Sequence, residues 1–525
     1  MRHTTRRHFL QTAVGTTALT FGATNVVTGA DSLERPVAED SLPPSDAIDI
    51  GGARQLFMDE FLVAQKEHVE LLVHPPQRRE IAFTFDAPWE GDAQNYFTTM
   101  FDGEIYHMYY HAWGQFPSKY LYIGYLRSMD GIHWERPELG IVEFDGSTKN
   151  NIIMGGLRGM MNHDFNPFLD RNPNCAADAK FKAIGMMIGT GDDFGLYAFR
   201  STDAIHWTPI CETPVFRGWA FDTQNVAFWS EIESKYVLYY RHFREDIRVI
   251  RRAVSTDFVN WIDEGEIEFI DGRGPTRGVQ FYVNQIAPYY RNPGLYIGFP
   301  ARYVDHGDTI STDLLPEPEL RRERIKVEQR LGTTVTDSIF ISSRDGFHFT
   351  TGNDVFLSPG LRTQHNWCYG DNYISWGMFE TDSTDDDSPR ELSLYAVESY
   401  QTGDQSRIRR FTSRIDGFCS LHAKTQSGEV TTKPILFSGN ELSLNAATSA
   451  AGTIQVEIQS ADGNIIPGYE VEHCDLIYGD SLDRRVSWNG NADLSSLAGT
   501  PIVLRFLMRE ADIYSMQWIS HNSPT

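Results

Sequence analysis

The stretch Ser128-Met129-Asp130-Gly131-Ile132-His133-Trp134 decides the fold, because near copies of it recur along the chain. They are Ser201-Thr-Asp203-Ala-Ile-His-Trp207, Ser255-Thr-Asp257-Phe-Val-Asn-Trp261 and Ser343-Arg-Asp345-Gly346-Phe-His-Phe349. A degraded fifth is Arg414-Ile-Asp416-Gly417-Phe418. The chemistry is that of a turn. Asp accepts backbone N–H bonds, Gly takes the positive φ, and the aromatic pins the next strand to its neighbour. Each copy follows an apolar, strand-like run such as Leu121–Tyr125 or Ser338–Ile341, and the aspartates lie 54 to 88 residues apart. A β-rich unit repeating at that period implies a propeller. The expected fold is all-β: a five-bladed β-propeller over residues 53–430, followed by a C-terminal β-sandwich over residues 433–525.

Outward from these turns, the blades can be placed. The run Tyr96 to Tyr110 reads as two strands about an Asp102-Gly103 hairpin. Blades are expected at about 83–144, 160–212, 213–268, 275–350 and 365–422. The longest spacing is explained by an insert at 304–331, whose Glu317–Leu331 stretch is the best helical pattern in the chain. Ala53–Ala64 reads as the strand that closes the last blade. Beyond 433 the aromatics thin and short alternating runs appear, such as Thr453–Ile458 and Ile502–Leu507. That texture points to a sandwich, with a sixth blade as the alternative.

Composition narrows the function classes. The formal charge of −25 disfavours nucleic acid and anionic membranes as partners. Aromatics make up 13 % of the residues, enough to supply strands and sugar-stacking platforms. Thr5-Arg6-Arg7-His8-Phe9-Leu10 precedes a mild apolar stretch from Ala13 to Val27. Residues 1–30 therefore read as a twin-arginine export signal, and 31–52 as a Pro- and Ser-rich linker. A periplasmic or extracellular location follows. Nothing later is apolar for long enough to form a membrane span. Five scattered cysteines without a Cys-x-x-Cys spacing suggest buried thiols, with room for one disulfide after export. The sixteen histidines form no His-Glu-x-x-His set, and no metal site is expected.

In a propeller, loops entering the inner strands form a funnel, so acids at the strand starts are the candidates for chemistry. Trp89-Glu90-Gly91-Asp92-Ala93-Gln94 precedes the first inner strand, and His163-Asp164-Phe165-Asn166 opens blade two. Asp222-Thr223-Gln224-Asn225 opens blade three, Tyr282 lies at the start of blade four, and Asp371-Asn372 opens blade five. Asp92, Asp164 and Asp222 form the expected catalytic set. Trp89, Gln94, His163, Asn166, Gln224, Asn225, Tyr282, Asp371 and Asn372 are the expected substrate contacts. Such paired carboxylates are what glycoside hydrolysis requires: one protonates the leaving oxygen, another acts as nucleophile or as base for water. No Gly-x-Ser-x-Gly elbow, Walker loop or dinucleotide fingerprint competes with that reading.

The chain resembles the five-bladed propeller glycoside hydrolases, the clan of invertase-like and arabinanase-like enzymes (families 32, 43, 62 and 68), and is most similar to exported proteins with a family 32 N-terminal domain. Invertase-like enzymes carry Trp-Met-Asn-Asp-Pro-Asn-Gly before the first hairpin; here Trp89-Glu-Gly-Asp92-Ala-Gln-Asn95 holds that place, so the resemblance implies Asp92 as nucleophile or base. Where the family has Arg-Asp-Pro, this chain has His163-Asp164-Phe-Asn166-Pro167, implying Asp164 as stabiliser of the transition state. Where the family has Glu-Cys-Pro, Phe221-Asp222-Thr-Gln224-Asn225 stands, implying Asp222 as the acid. The stretch Leu504 to Ser515 resembles the last strands of the family 32 sandwich. An oligo- or polysaccharide substrate is implied, with no cofactor; a structural Ca2+ in the propeller axis is compatible with the plan. The replaced Glu keeps a second reading open, a catalytically silent propeller that binds carbohydrate or protein.

Overall fold

A computed structural model describes residues 47–113, 120–157, 162–187, 194–364, 366–385, 387–403 and 405–520, all within one compact unit, Ala47–Thr525. The expected export signal lies outside the described residues, as does most of the expected linker.

The protein is all-β and propeller-like. Five sheets follow one another along the chain, antiparallel except for a short parallel pairing of Glu268–Phe269 in the fourth. The first holds Asn95–Phe101, Tyr106–Trp113, Tyr120–Ser128 and Ile152–Leu157; the second is built on Asn162–Leu169, Phe181–Met187 and Gly195–Ser201. The third runs from Val226–Ser230 to Trp261–Glu266, and the fourth is centred on Thr334–Ser343. The fifth holds Phe379–Thr381, Glu391–Glu398 and Arg407–Ser413, and takes Gln77–Thr84 as its outer strand. A chain segment from before the first sheet thus finishes the last one. It is not the expected segment. Residues 53–64 pair instead with the C-terminal strands, Gln55 opposite Met516 and Val63 opposite Thr432. The sequence pattern marks both segments as strands, and only the partner distinguishes them.

The C-terminal strands form one hydrogen-bonded sheet of ten strands, dominated by Glu441–Ser460 and Ile502–Ile519. Four of its strands come from residues 48–73. The sheet has its own core, with Phe57, Ile454, Trp488, Phe506 and Trp518 buried together. The insert in the fourth sheet forms three short helices: α1 (Ile310–Leu314), α2 (Pro318–Val327) and α3 (Arg330–Thr333).

The repeated turns have the expected chemistry. Asp130 Oδ1 accepts the N–H groups of Ile132 and His133, each at 2.8 Å, while its Oδ2 meets the His133 ring at 2.7 Å. Asp203, Asp257 and Asp345 repeat this pattern. Positive φ does not require Gly here, since Ala204 (φ 65°) and Phe258 (φ 66°) adopt it in their copies. A tyrosine of the preceding sheet completes three of the four. Tyr109 donates to the Ala204 carbonyl at 2.7 Å and Tyr239 to that of Gly346 at 2.5 Å, while Tyr395 donates to that of Gly131. The same tyrosines pack edge-on against Trp207, Phe349 and Trp134. Each turn is therefore a clasp between neighbouring sheets. The fifth copy has another use. Asp416 itself takes the positive φ (60°), and its buried carboxylate accepts from Tyr289 (2.6 Å) and Ser515 (3.0 Å) and pairs with Arg291 (2.9 Å) and Arg54 (3.3 Å). It joins the fourth and fifth sheets to the ten-stranded sheet.

Removing that charge leaves two arginines facing a neutral group in a buried junction, so Asp416→Asn should cost about 3 kcal/mol in urea unfolding. Asp345→Asn, in an exposed turn, should cost about 1 kcal/mol or less. Equal losses would show that the fifth turn is no junction.

The turns also set an acid limit. Partial burial alone would raise the carboxyls of Asp203, Asp257 and Asp345, but backbone N–H groups and the His206, Asn260 and His348 side chains hold each down to about 2. Their stabilisation is complete above the unfolded aspartate value of about 4 and is lost as pH falls through 2. Thermal midpoints should therefore fall steeply between pH 4 and 2, and less steeply when these three positions are Asn.

Candidate functional site

The inner strands present unpaired edges to the axis, and side-chain amides fill them. Gln224 Nε2 donates to the Phe97 carbonyl (3.0 Å) and to Thr98 Oγ1 (2.9 Å), and Asn166 Nδ2 donates to the same hydroxyl (2.9 Å). Gln285 Nε2 bridges Gln224 Oε1 (2.8 Å) and the Ile374 carbonyl (2.6 Å). Trp376 N–H closes the circuit onto the Phe97 carbonyl (2.8 Å). Next to it Gly377 is required, because a Cβ there would lie 1.9 Å from the Thr99 carbonyl oxygen. Among the described axial amides, Gln285 Oε1 is the buried acceptor left without a donor.

Above this axial layer, the strand starts gather around a group of tyrosines and arginines. Tyr96, Tyr282, Tyr369, Tyr373 and Tyr400 are buried together. Tyr369 donates to the Tyr282 hydroxyl at 3.0 Å, and the Tyr282 ring lies 5.5 Å from Tyr373 and 6.1 Å from Tyr303. Tyr96 sits at φ 54°, a costly backbone for a bulky residue, and strain of that kind concentrates at functional sites.

The charges of the three expected acids act on this group. Asp164 is 3 % exposed and its Oδ2 accepts the N–H of Thr223, the residue after Asp222, at 2.9 Å. Tyr96 is raised well above the ordinary phenol value, first by burial, then by the charges of Tyr282, Asp164 and Asp222. Tyr400 feels both Asp222 and Asp92. Asp92 is tethered by the Gly403 N–H to its Oδ2 (3.1 Å). Arg241 is a buried cation of the group. Burial by itself lowers it, but Tyr282, Asp222, Tyr96 and Asp164 hold it firmly charged.

The expected substrate contacts divide by environment. Tyr282 lies in the tyrosine group. Asn166 and Gln224 belong to the axial layer. Asn225 shapes the loop holding Asp222, donating to the carbonyls of Phe221 (2.9 Å) and Thr223 (3.0 Å). Gln94 is buried against the Glu90 carbonyl and Ser406. Half-buried Trp89 donates to Asn151 at 2.9 Å. Asp371 accepts from Tyr400 N–H (2.9 Å), and burial pushes its carboxyl well above the usual range. Asn372 donates to the Thr336 carbonyl (3.1 Å). The His163 side chain lies outside the described residues.

Several site residues carry no signal in the sequence pattern. Arg241 and Arg248 sit in ordinary strands, and Arg324 and Arg330 come from the helical insert. Trp219 is 65 % exposed and lies flat on Phe243, centroids 5.4 Å apart and planes 5° apart. Its loop position before Asp222 was the available cue. A separate cavity of about 450 Å³ opens at the other ends of the inner strands, between Thr99, Phe228 and Trp376. None of the acids lines it.

Electrostatics singles out Tyr282. Burial and Asp222 both raise its hydroxyl, yet Arg241, Arg248 and Arg330 together bring it below the ordinary phenol value. An ultraviolet titration should therefore show one tyrosine ionising below about pH 10. Tyr282→Phe should abolish that step and Arg248→Gln should move it upward. An unchanged titration in both variants would refute the assignment.

No family model matches the chain, and no curated protein matches its sequence. Solved structures do align. An N-acetylgalactosamine deacetylase from F. plautii, in complex with blood group B trisaccharide, aligns over 66 % of this chain and 96 % of its own, with a TM-score of 0.43 at 12 % identity. A fructofuranosidase from Schwanniomyces occidentalis, complexed with fructose, aligns over 84 % and 97 %, with a TM-score of 0.40 at 12 % identity. A thermostable family-43 glycoside hydrolase aligns over 63 % and 93 %, with a TM-score of 0.38 at 10 % identity.

Proposed function

We propose that this protein is an exported glycoside hydrolase whose five sheets are the blades of a propeller and whose ten-stranded sheet is the companion sandwich. The observation that carries this reading is the grouping of Asp92, Asp164 and Asp222, from three successive strand starts, about shared Tyr96, Tyr400 and Arg241. Glycosidic cleavage needs a proton donor for the leaving oxygen and a second carboxylate to attack the anomeric carbon or to activate water. Asp222 is the proposed donor and Asp92 the proposed nucleophile or base. Asp164, buried beside Arg241, is the proposed stabiliser of positive charge on the ring. The exposed Trp219, backed by Phe243, is suited to stack a sugar face. Export by the twin-arginine route rests on Arg6-Arg7 and the apolar stretch after them.

The test is turnover of a glycan panel, read as new reducing ends, by the purified protein and its Asn variants. Asp92→Asn and Asp222→Asn should each lower kcat by about a thousandfold or more, and Asp164→Asn by about a hundredfold or more. Undiminished turnover in the first two would overturn the roles. Binding without any turnover by the unaltered protein would favour the silent carbohydrate binder, the reading motivated by Asp222 standing where the family has Glu.

A further inference from the structure

The arginines of the site are more numerous than its chemistry needs. Arg241 is balanced by Asp222 and Asp164. Arg248 and Arg330 have a different setting. Arg248 donates to Gln280 Oε1 at 2.7 Å, and its buried Nε has no hydrogen-bond partner. Its guanidinium lies over Tyr303 (4.6 Å to the ring centre) and Tyr282 (5.1 Å). Arg330 is tied on one edge to Glu328, while its buried Nη1 has no hydrogen-bond partner. It lies over Tyr369 at 5.5 Å. The rings of Tyr303, Tyr282 and Tyr369 touch one another at 6.0 to 6.1 Å. Two guanidiniums therefore flank one aromatic cluster, each with an unsatisfied buried N–H. Neither has a carboxylate partner in the cluster, in a protein whose net charge is −25.

Leaving such donors unpaired costs free energy that a ligand recovers by supplying an acceptor. Stacking on tyrosine keeps the guanidinium planes fixed and charged, which suits a planar or tetrahedral oxyanion. Neutral hydroxyls would satisfy the hydrogen bonds but not the charge. Arg241, whose guanidinium lies 5.3 Å from the Tyr282 ring centre, is the arginine on which the charges of Asp222 and Asp164 act. Trp219 and Phe243 lead from solvent to Arg248, whose guanidinium lies 5.5 Å from the Phe243 ring centre.

We infer that the site takes an acidic glycan, whose carboxylate or sulfate ester is held by Arg248 and Arg330 against the Tyr303–Tyr282–Tyr369 cluster. This rests on the carbohydrate reading above and gives it a substrate class. Arg248 and Arg330 are specificity-determining rather than catalytic residues.

Binding isolates the point from catalysis. The full chain is titrated calorimetrically with a tetragalacturonate, its carboxyl-reduced neutral counterpart, and a sulfate-ester tetrasaccharide. At least one acidic probe should bind about tenfold or more tighter than the neutral one, and its affinity should fall with added salt. The probe that binds tells carboxylate from sulfate. Arg248→Gln and Arg330→Gln should each weaken it about tenfold, with Arg248→Lys recovering part of the loss, while the melting temperature stays unchanged. Neutral and acidic probes binding alike, no acidic probe binding, or unchanged affinity in both Gln variants would each overturn the inference. Failure of the Asp variants to lose turnover would leave this binding result standing, and the reverse also holds.

Discussion

The constraint behind this structure is that five sheets meet edge-on, and the innermost strand of each would otherwise leave backbone donors and acceptors unpaired in a buried axis. The chain answers with amide side chains. Gln224 reaches the first sheet, Asn166 reaches Thr98, and Gln285 spans from Gln224 to the fifth sheet. An amide carries two donor hydrogens and an acceptor oxygen on one side chain, so it can bridge two strand edges where an ionised carboxylate, an acceptor only, could not. Around the outside, the clasp between tyrosine and turn does the same work: Tyr109, Tyr239 and Tyr395 each cap the carbonyl of the next sheet's turn.

This arrangement brings the acids together. Asp92, Asp164 and Asp222 are distant in sequence, but each lies just before or at the start of an inner strand, and the inner strands start at one end of the axis. The loop holding Asp222 is shaped by Asn225, hung from Asp164 through Thr223 N–H, and tied to the next sheet by Thr223 Oγ1 on the Tyr282 carbonyl (2.8 Å).

The turn motif was legible because its chemistry is local. Asp accepting from the residues two and three ahead needs only the order of the residues, and four copies fold alike. The fifth reads as a decayed copy, yet Asp416 has acquired Tyr289, Arg291, Arg54 and Ser515 as partners from three other regions. The amides show the same limit. Asn166 and Gln224 look like sugar ligands at a strand start, but the axis engages them. The arginines that give the site its positive side were invisible, since Arg241 and Arg248 lie in strands and Arg324 and Arg330 in an insert.

By itself the sequence determined the all-β class and the strand-and-turn repeat. These follow from two-residue periodicity and from hydrogen bonds spanning a few residues. Tertiary structure alone decided which segment finishes the fifth sheet, Gln77–Thr84, and that residues 48–73 join the C-terminal sheet. It also decided which polar side chains face the axis and which face the site. Those choices depend on pairing between segments up to some 460 residues apart, such as Arg54 with Ser515, and nothing local encodes a partner at that distance.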